Sequence, residues 1–153
     1  VIAKGNLAIK HLKLEVQKTV TQIKKSIKMK YFVIYDKVVF LTIPIYCIGK
    51  IGGKDAEIFL NNLIEKDINF IKKFLNRIPY REQHARWILM TYLSYAECGQ
   101  QHAANQLKTI FAREKSWILI ALIKNQSQKG ISFLNHFKNF KIRFPHCPGL
   151  CWP

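Results

Sequence analysis

Four cysteines and five histidines are the residues of this chain best suited to metal binding or nucleophilic chemistry. Cys98 and His102 are four residues apart, which sets thiol and imidazole on one face if a single helix carries both. Cys147 and Cys151 have the same spacing beside His146, around Pro148 and Gly149. A tetrahedral zinc site needs four nitrogen or sulfur ligands, and neither spacing is a zinc signature, so no metal and no cofactor is expected. Cys147 and Cys151 are close enough in sequence to pair locally, but only in an oxidising compartment. Cys47 and Cys98 read as reduced, buried thiols. The carboxylates Asp55/Glu57 and Glu65/Asp67 are two residues apart, a spacing that diverges on a helix and assembles no acid–base pair. No Gly-x-Ser-x-Gly elbow and no His-Glu-x-x-His occurs. No catalytic set is visible, and a non-enzymatic role is expected.

The glycine-rich segment 48–54, Ile-Gly-Lys-Ile-Gly-Gly-Lys, combines freed backbone amides with Lys50 and Lys54. Placed between a strand and a helix N-terminus, it would form an anion site. Its Gly49-Lys50-Ile51-Gly52 resembles the GxxG loop of KH nucleic-acid-binding domains over about ten residues. KH domains put a helix before that loop and sheet soon after it, whereas strands before and helices after are expected here, so a plain turn leads. Trp87, Met90, Ala103 and Leu107 are similar in spacing to tetratricopeptide-type repeats. No second copy follows at a repeat period, so an ordinary helical hairpin is expected over 87–111. Arg77 and His84 resemble the arginine–histidine pair of HEPN ribonucleases, but Pro79 lies between them.

Charge is the strongest signal. The 153 residues hold 25 Lys+Arg against 9 Asp+Glu, a formal net charge of +16. Residues 1–30 carry eight basic residues and one acid, and residues 128–153 carry four basic residues and none. Such an excess points to a polyanionic partner, either nucleic acid (RNA or DNA) or an acidic protein surface, with an anionic membrane as a further possibility. Lys24, Lys25, Lys28, Lys30, Lys50, Lys54, Lys138, Lys141 and Arg143 are the expected phosphate contacts. In the tail, Phe133, Phe137, Phe140 and Phe144 recur at helical spacing with basic residues between them. That pattern suits base stacking, an interfacial helix, or simple packing into the core.

The elements that would position these residues read as follows. Ile9, Leu12, Val16, Val20, Ile23 and Ile27 recur at three and four, which predicts a basic amphipathic helix over 7–29 behind a Gly5-Asn6 stop. Residues 31–48 are rich in β-branched and aromatic side chains, which predicts a small β-hairpin turning at Asp36-Lys37, with Pro44 at an edge. Asp55 and Asp67 are expected to cap two separate helices, and Gly99 to stop a helix over 81–98. A further helix is expected over 101–113, and the apolar run 117–123 reads as a covered central helix. The hydrophobic fraction of 49% and charged fraction of 22% are those of a globular chain.

The expected fold is therefore mainly α, a compact helical domain of αα-hairpins with a small β-hairpin element. Its organisation reads as a basic helix (1–30), a core (31–125) and a basic aromatic tail (126–153). No secretory leader pattern is read, and the longest apolar stretch is too short and too charged for a membrane span, so a cytoplasmic setting is favoured. The expected function is non-enzymatic nucleic-acid or ribonucleoprotein binding through phosphate contacts. The alternative is a helical interaction scaffold or a subunit of a larger assembly, peripheral to a membrane in one version.

Overall fold

A computed structural model describes residues 2–29, 35–79, 81–110, 125 and 127–128. The described chain is mainly α, with no strand among the described residues. In order come α1 (Ile2–Met29), α2 (Tyr35–Phe40), α3 (Thr42–Ile51), α4 (Gly53–Asn62), a π-helical stretch (Leu63–Ile68), α5 (Asn69–Lys72) and α6 (Arg81–Ile110). The expected helix over 117–123, the tail phenylalanines, His146, Cys147 and Cys151 lie outside the described residues.

α1 carries the apolar stripe that its spacing predicts. Ile9, Val16, Val20 and Ile23 are buried, and Leu12 and Ile27 pack beside them. The helix starts earlier than expected, and Gly5 and Asn6 lie inside it rather than capping it.

The β-hairpin expected within 31–48 is not formed over its described part; residues 35–40 and 42–51 are helical. Val38, Leu41, Ile45 and Ile48 are buried at spacings of three, four and three, the period of a helix facing a core. β-branched residues favour strands only weakly, and burial on a helix face outweighs that preference. Pro44 fits because it stands in the first turn of α3, where backbone N–H groups have no partner within the helix.

α3 and α4 form an αα-hairpin turned by Gly52 and Gly53, whose φ values are +66° and +84°. An L side chain is strained in that region, so two glycines reverse the chain cheaply. The Gly52 N–H closes the preceding helix on the Ile48 carbonyl at 3.1 Å. The helix predicted to restart at Asp67 instead runs on from α4 through the π stretch into α5. The shift in register shows in the hydrogen bonds. The Asn69 N–H bonds to the Ile64 carbonyl, five residues back, and the Asn69 side-chain amide donates to the bypassed Glu65 carbonyl at 3.0 Å. Ala56, Leu60, Leu63, Ile64, Ile68 and Ile71 stay buried along this rod.

α6 is the element on which α2, α3 and α4 pack, and α1 packs on α3. Gly49 of α3 lies so close to it that an added Cβ would stand 2.6 Å from the Ser94 Cβ and 2.9 Å from its Cα. Gly49 and Lys50 of α3 meet Ser94 and Glu97, and Thr42 shares a cavity with Arg86 and Met90, so α3 and α6 run the same way. On the other side Glu57 meets His102 and Lys72 meets Tyr92, so the α4–α5 rod runs against α6. Lys13–Asp55 at 3.2 Å and Lys24–Asp67 at 2.7 Å bridge α1 to that rod in parallel. α1, α3, the α4–α5 rod and α6 therefore alternate in direction. Among the described residues, no helix is long and apolar enough to cross a membrane.

The helix at 81–98 does not stop at Gly99. It continues to Ile110 and is interrupted by one residue, Gln100, at φ +40°. A positive φ on a residue with a side chain is strained, and the break interrupts helical hydrogen bonding around it. Asn125 holds this point. Its buried side-chain amide donates to the carbonyls of Ala96 and Gln100, both at 2.8 Å, while its Oδ1 accepts from the Ser127 N–H at 3.1 Å.

Two stability outcomes follow from these contacts. Gly49→Ala forces α3 away from α6 and should lower unfolding free energy by about 1–3 kcal/mol in urea titration, with partial recovery in the Ser94→Gly background. Asn125→Ala leaves the carbonyls without their clamp and should lose a similar ~1–3 kcal/mol. Hydrogen-exchange protection should then fall first around 96–104.

Candidate functional site

The candidate site is a basic surface built on α1, bordered by the outer side of α2 and α3. The stripe opposite the buried face of α1 comprises Leu7, His11, Leu14, Lys18, Thr21, Lys25 and Lys28, all exposed. These positions recur at four and three, so one side of a single rod presents them together. Among the described residues, Lys10, Lys18, Lys25 and Lys28 have no ion pair or aromatic contact, whereas Lys13 and Lys24, on the inward edge, are held by Asp55 and Asp67.

The expected phosphate-binding residues thus separate into three groups. Lys25, Lys28 and Lys54 are exposed. Lys24 is engaged by Asp67 and stands 5.6 Å from the centre of the Phe70 ring. Lys50 is ion-paired to Glu97 and lies over the Tyr46 ring at 5.5 Å. The Glu97 hydrogen bond and charge hold the Lys50 ammonium above its ordinary pKa. Lys30, Lys138, Lys141 and Arg143 lie outside the described residues.

The glycine segment is not a phosphate loop between strand and helix. Gly49 belongs to α3 and serves the close α3–α6 approach, while Gly52 and Gly53 make the turn. A helix precedes this segment, as in KH domains, but Gly49, Lys50 and Ile51 belong to α3 rather than to a loop, and helices, with no strand among the described residues, follow.

His84 and Cys98, singled out for chemistry, are in structural roles. His84 is 5% exposed, and its Nδ1 accepts from the indole Nε1 of fully buried Trp87 at 3.2 Å. Burial lowers its pKa to about 4, so the ring is neutral and free to accept. Arg77 is exposed in the turn after α5. The Cys98 thiol points to the Tyr95 carbonyl at 3.6 Å, and burial, reinforced by Glu57, pushes its pKa up to about 12. A thiol so firmly protonated is a poor nucleophile. His102 bonds to Glu57. Among the described residues no group of three His, Cys, Asp or Glu side chains is placed to hold a metal ion. Trp87, Ala103 and Leu107 are buried core residues of α6, with Met90 half-buried beside them.

Sequence reasoning missed the apolar side of the surface. Val39, Phe40, Ile43 and Tyr46 are exposed on α2 and α3. A groove of 590 Å³ separates Phe40 and Ile43 from α1, with Leu12, Lys18 and Gln22 on one wall and Phe40, Ile43 and Pro44 on the other. One signal was available. Leu7 and Leu14 fall outside the stripe of Ile9, Val16 and Val20, and apolar residues off the buried stripe of a helix mark a second contact face. No family model, curated protein or solved structure matches this chain.

His84 gives a pH test. The unfolded chain binds its proton near pH 6.5, and the folded chain only near pH 4. Stability is therefore full above about 6.5, and protonation of the unfolded state erodes it as pH falls toward 4, by up to about 3 kcal/mol. His84→Gln keeps an acceptor for Trp87 and should flatten that part of the profile in denaturant titrations between pH 7 and 4.

Proposed function

We propose that the chain is a non-enzymatic binding protein that holds the phosphate backbone of nucleic acid, free or within a ribonucleoprotein, on the outward face of α1. The observation that carries this reading is the division of charge. Asp55, Asp67 and Glu97 are each engaged by a lysine from another element, whereas Lys10, Lys18, Lys25 and Lys28 are exposed and have no acid partner among the described residues. The positive excess is thus concentrated outward along one rod. Phosphates spaced along a strand complement such a row, and release of their counterions would drive association. A row of lysines reads backbone rather than base edges, so weak sequence preference is expected.

The second reading, a scaffold or a subunit of a larger assembly, draws on the exposed apolar side chains of α2 and α3. Such a contact would be insensitive to salt.

Fluorescence anisotropy with labelled single- and double-stranded RNA and DNA decides between them. Affinity should fall steeply as salt rises. Lys18→Ala, Lys25→Ala and Lys28→Ala should each lower the log–log salt slope by about one. Absence of binding at low salt, or a slope unmoved by all three substitutions, would overturn the proposal.

A further inference from the structure

We infer that the surface formed by α1 and the outer side of α2 and α3 docks on an anionic lipid bilayer. This goes beyond the nucleic-acid reading and does not rest on it.

Phe40 and Ile43 are 63% and 62% exposed, and Tyr46, one turn after Ile43, is exposed too, while Val39 lines a separate cavity against α6. Lys18 joins this apolar rim to the basic stripe, because it belongs to the outward face of α1 and also lines the groove with Phe40 and Ile43. Leu14 stands one turn before Lys18 on the same face, and it too is exposed. The surface therefore alternates large aliphatic side chains with unpaired lysines, and the single acid of α1, Glu15, borders the groove.

Charge and hydrophobicity together select the occupant. A phosphate backbone rewards the lysines but does nothing for Leu14 or Ile43, which have no aromatic face to stack on a base. A neutral apolar protein groove rewards the aliphatic side chains but leaves the lysines unused. The headgroup region of an anionic bilayer complements both, with phosphates level with the lysines and acyl chains beneath them for the apolar rim. Docking parallel to the membrane plane also suits a structure whose described helices cannot span one.

The test uses the full chain and sedimentation with phosphatidylcholine vesicles, with and without phosphatidylserine. Binding should require phosphatidylserine and weaken with salt. Phe40→Ser and Ile43→Ser should each lower vesicle affinity by about tenfold. They should leave the melting temperature and RNA anisotropy unchanged. Lys18→Ala and Lys25→Ala should each lower it by about fivefold. If the Phe40 and Ile43 variants fold poorly, Leu14→Ser on α1 should show the same loss of vesicle affinity. No sedimentation with phosphatidylserine vesicles overturns the inference, whether or not RNA binds. So does sedimentation unaffected by Phe40→Ser, Ile43→Ser and Leu14→Ser, which would mark simple charge attraction. Vesicle binding without RNA binding supports it while defeating the nucleic-acid reading.

Discussion

The close approach of α3 to α6 at Gly49 and Ser94 sets the geometry of everything around it. Helix axes normally stay 8–10 Å apart because side chains hold them there. Removing the Cβ at one crossing lets α3 settle onto α6, which sinks Ile45 and Ile48 fully into the core. The two-glycine turn then returns the chain as α4 against the same helix, and α1 covers α3 from outside. The site depends on this order. Because α3 is seated deeply on one side, its opposite side is left outward, and Phe40 and Ile43 come to flank α1 rather than join the core.

Ion pairs among the helices divide the lysines by position. The α4–π–α5 rod offers Asp55 and Asp67 on the edge facing α1, and Lys13 and Lys24 answer them. Lysines further round α1 have no ion pair among the described residues. Exposed pairs of this kind contribute little to stability. Their larger effect is on the surface potential, because they neutralise the inward edge and leave the outward one positive.

What could be read from the sequence was what depends on local spacing. The stripe from Ile9 to Ile27 gave α1 and its buried face, and the glycines at 52 and 53 gave a turn. The hairpin expected before that turn failed because composition was given more weight than period: Val38, Leu41, Ile45 and Ile48 already carried a helical spacing. Asp67 looked like a cap, but a carboxylate answered by Lys24 has no need to end a helix. Lys24 and Lys50 looked like phosphate ligands because their partners, Asp67 and Glu97, are 43 and 47 residues away in sequence. No local pattern reveals such pairs. The break at Gln100 was equally hidden, since a glycine stood one residue before it as the apparent stop.

The clamp made by Asn125 also orders events in time. Chains emerge from the ribosome N-terminal end first, and their early parts begin to fold before the rest exists. α1, α3 and the α4–α5 rod can meet the first arm of α6 as soon as that arm appears. The bend at Gln100 cannot be secured then, because the residue that holds it is 25 positions further along the chain. The second arm of α6 can lay Ala103, Ala104 and Leu107 on the core before then, but its bend is fixed only when Asn125 arrives. The clamp acts as a late latch on an assembly already largely in place.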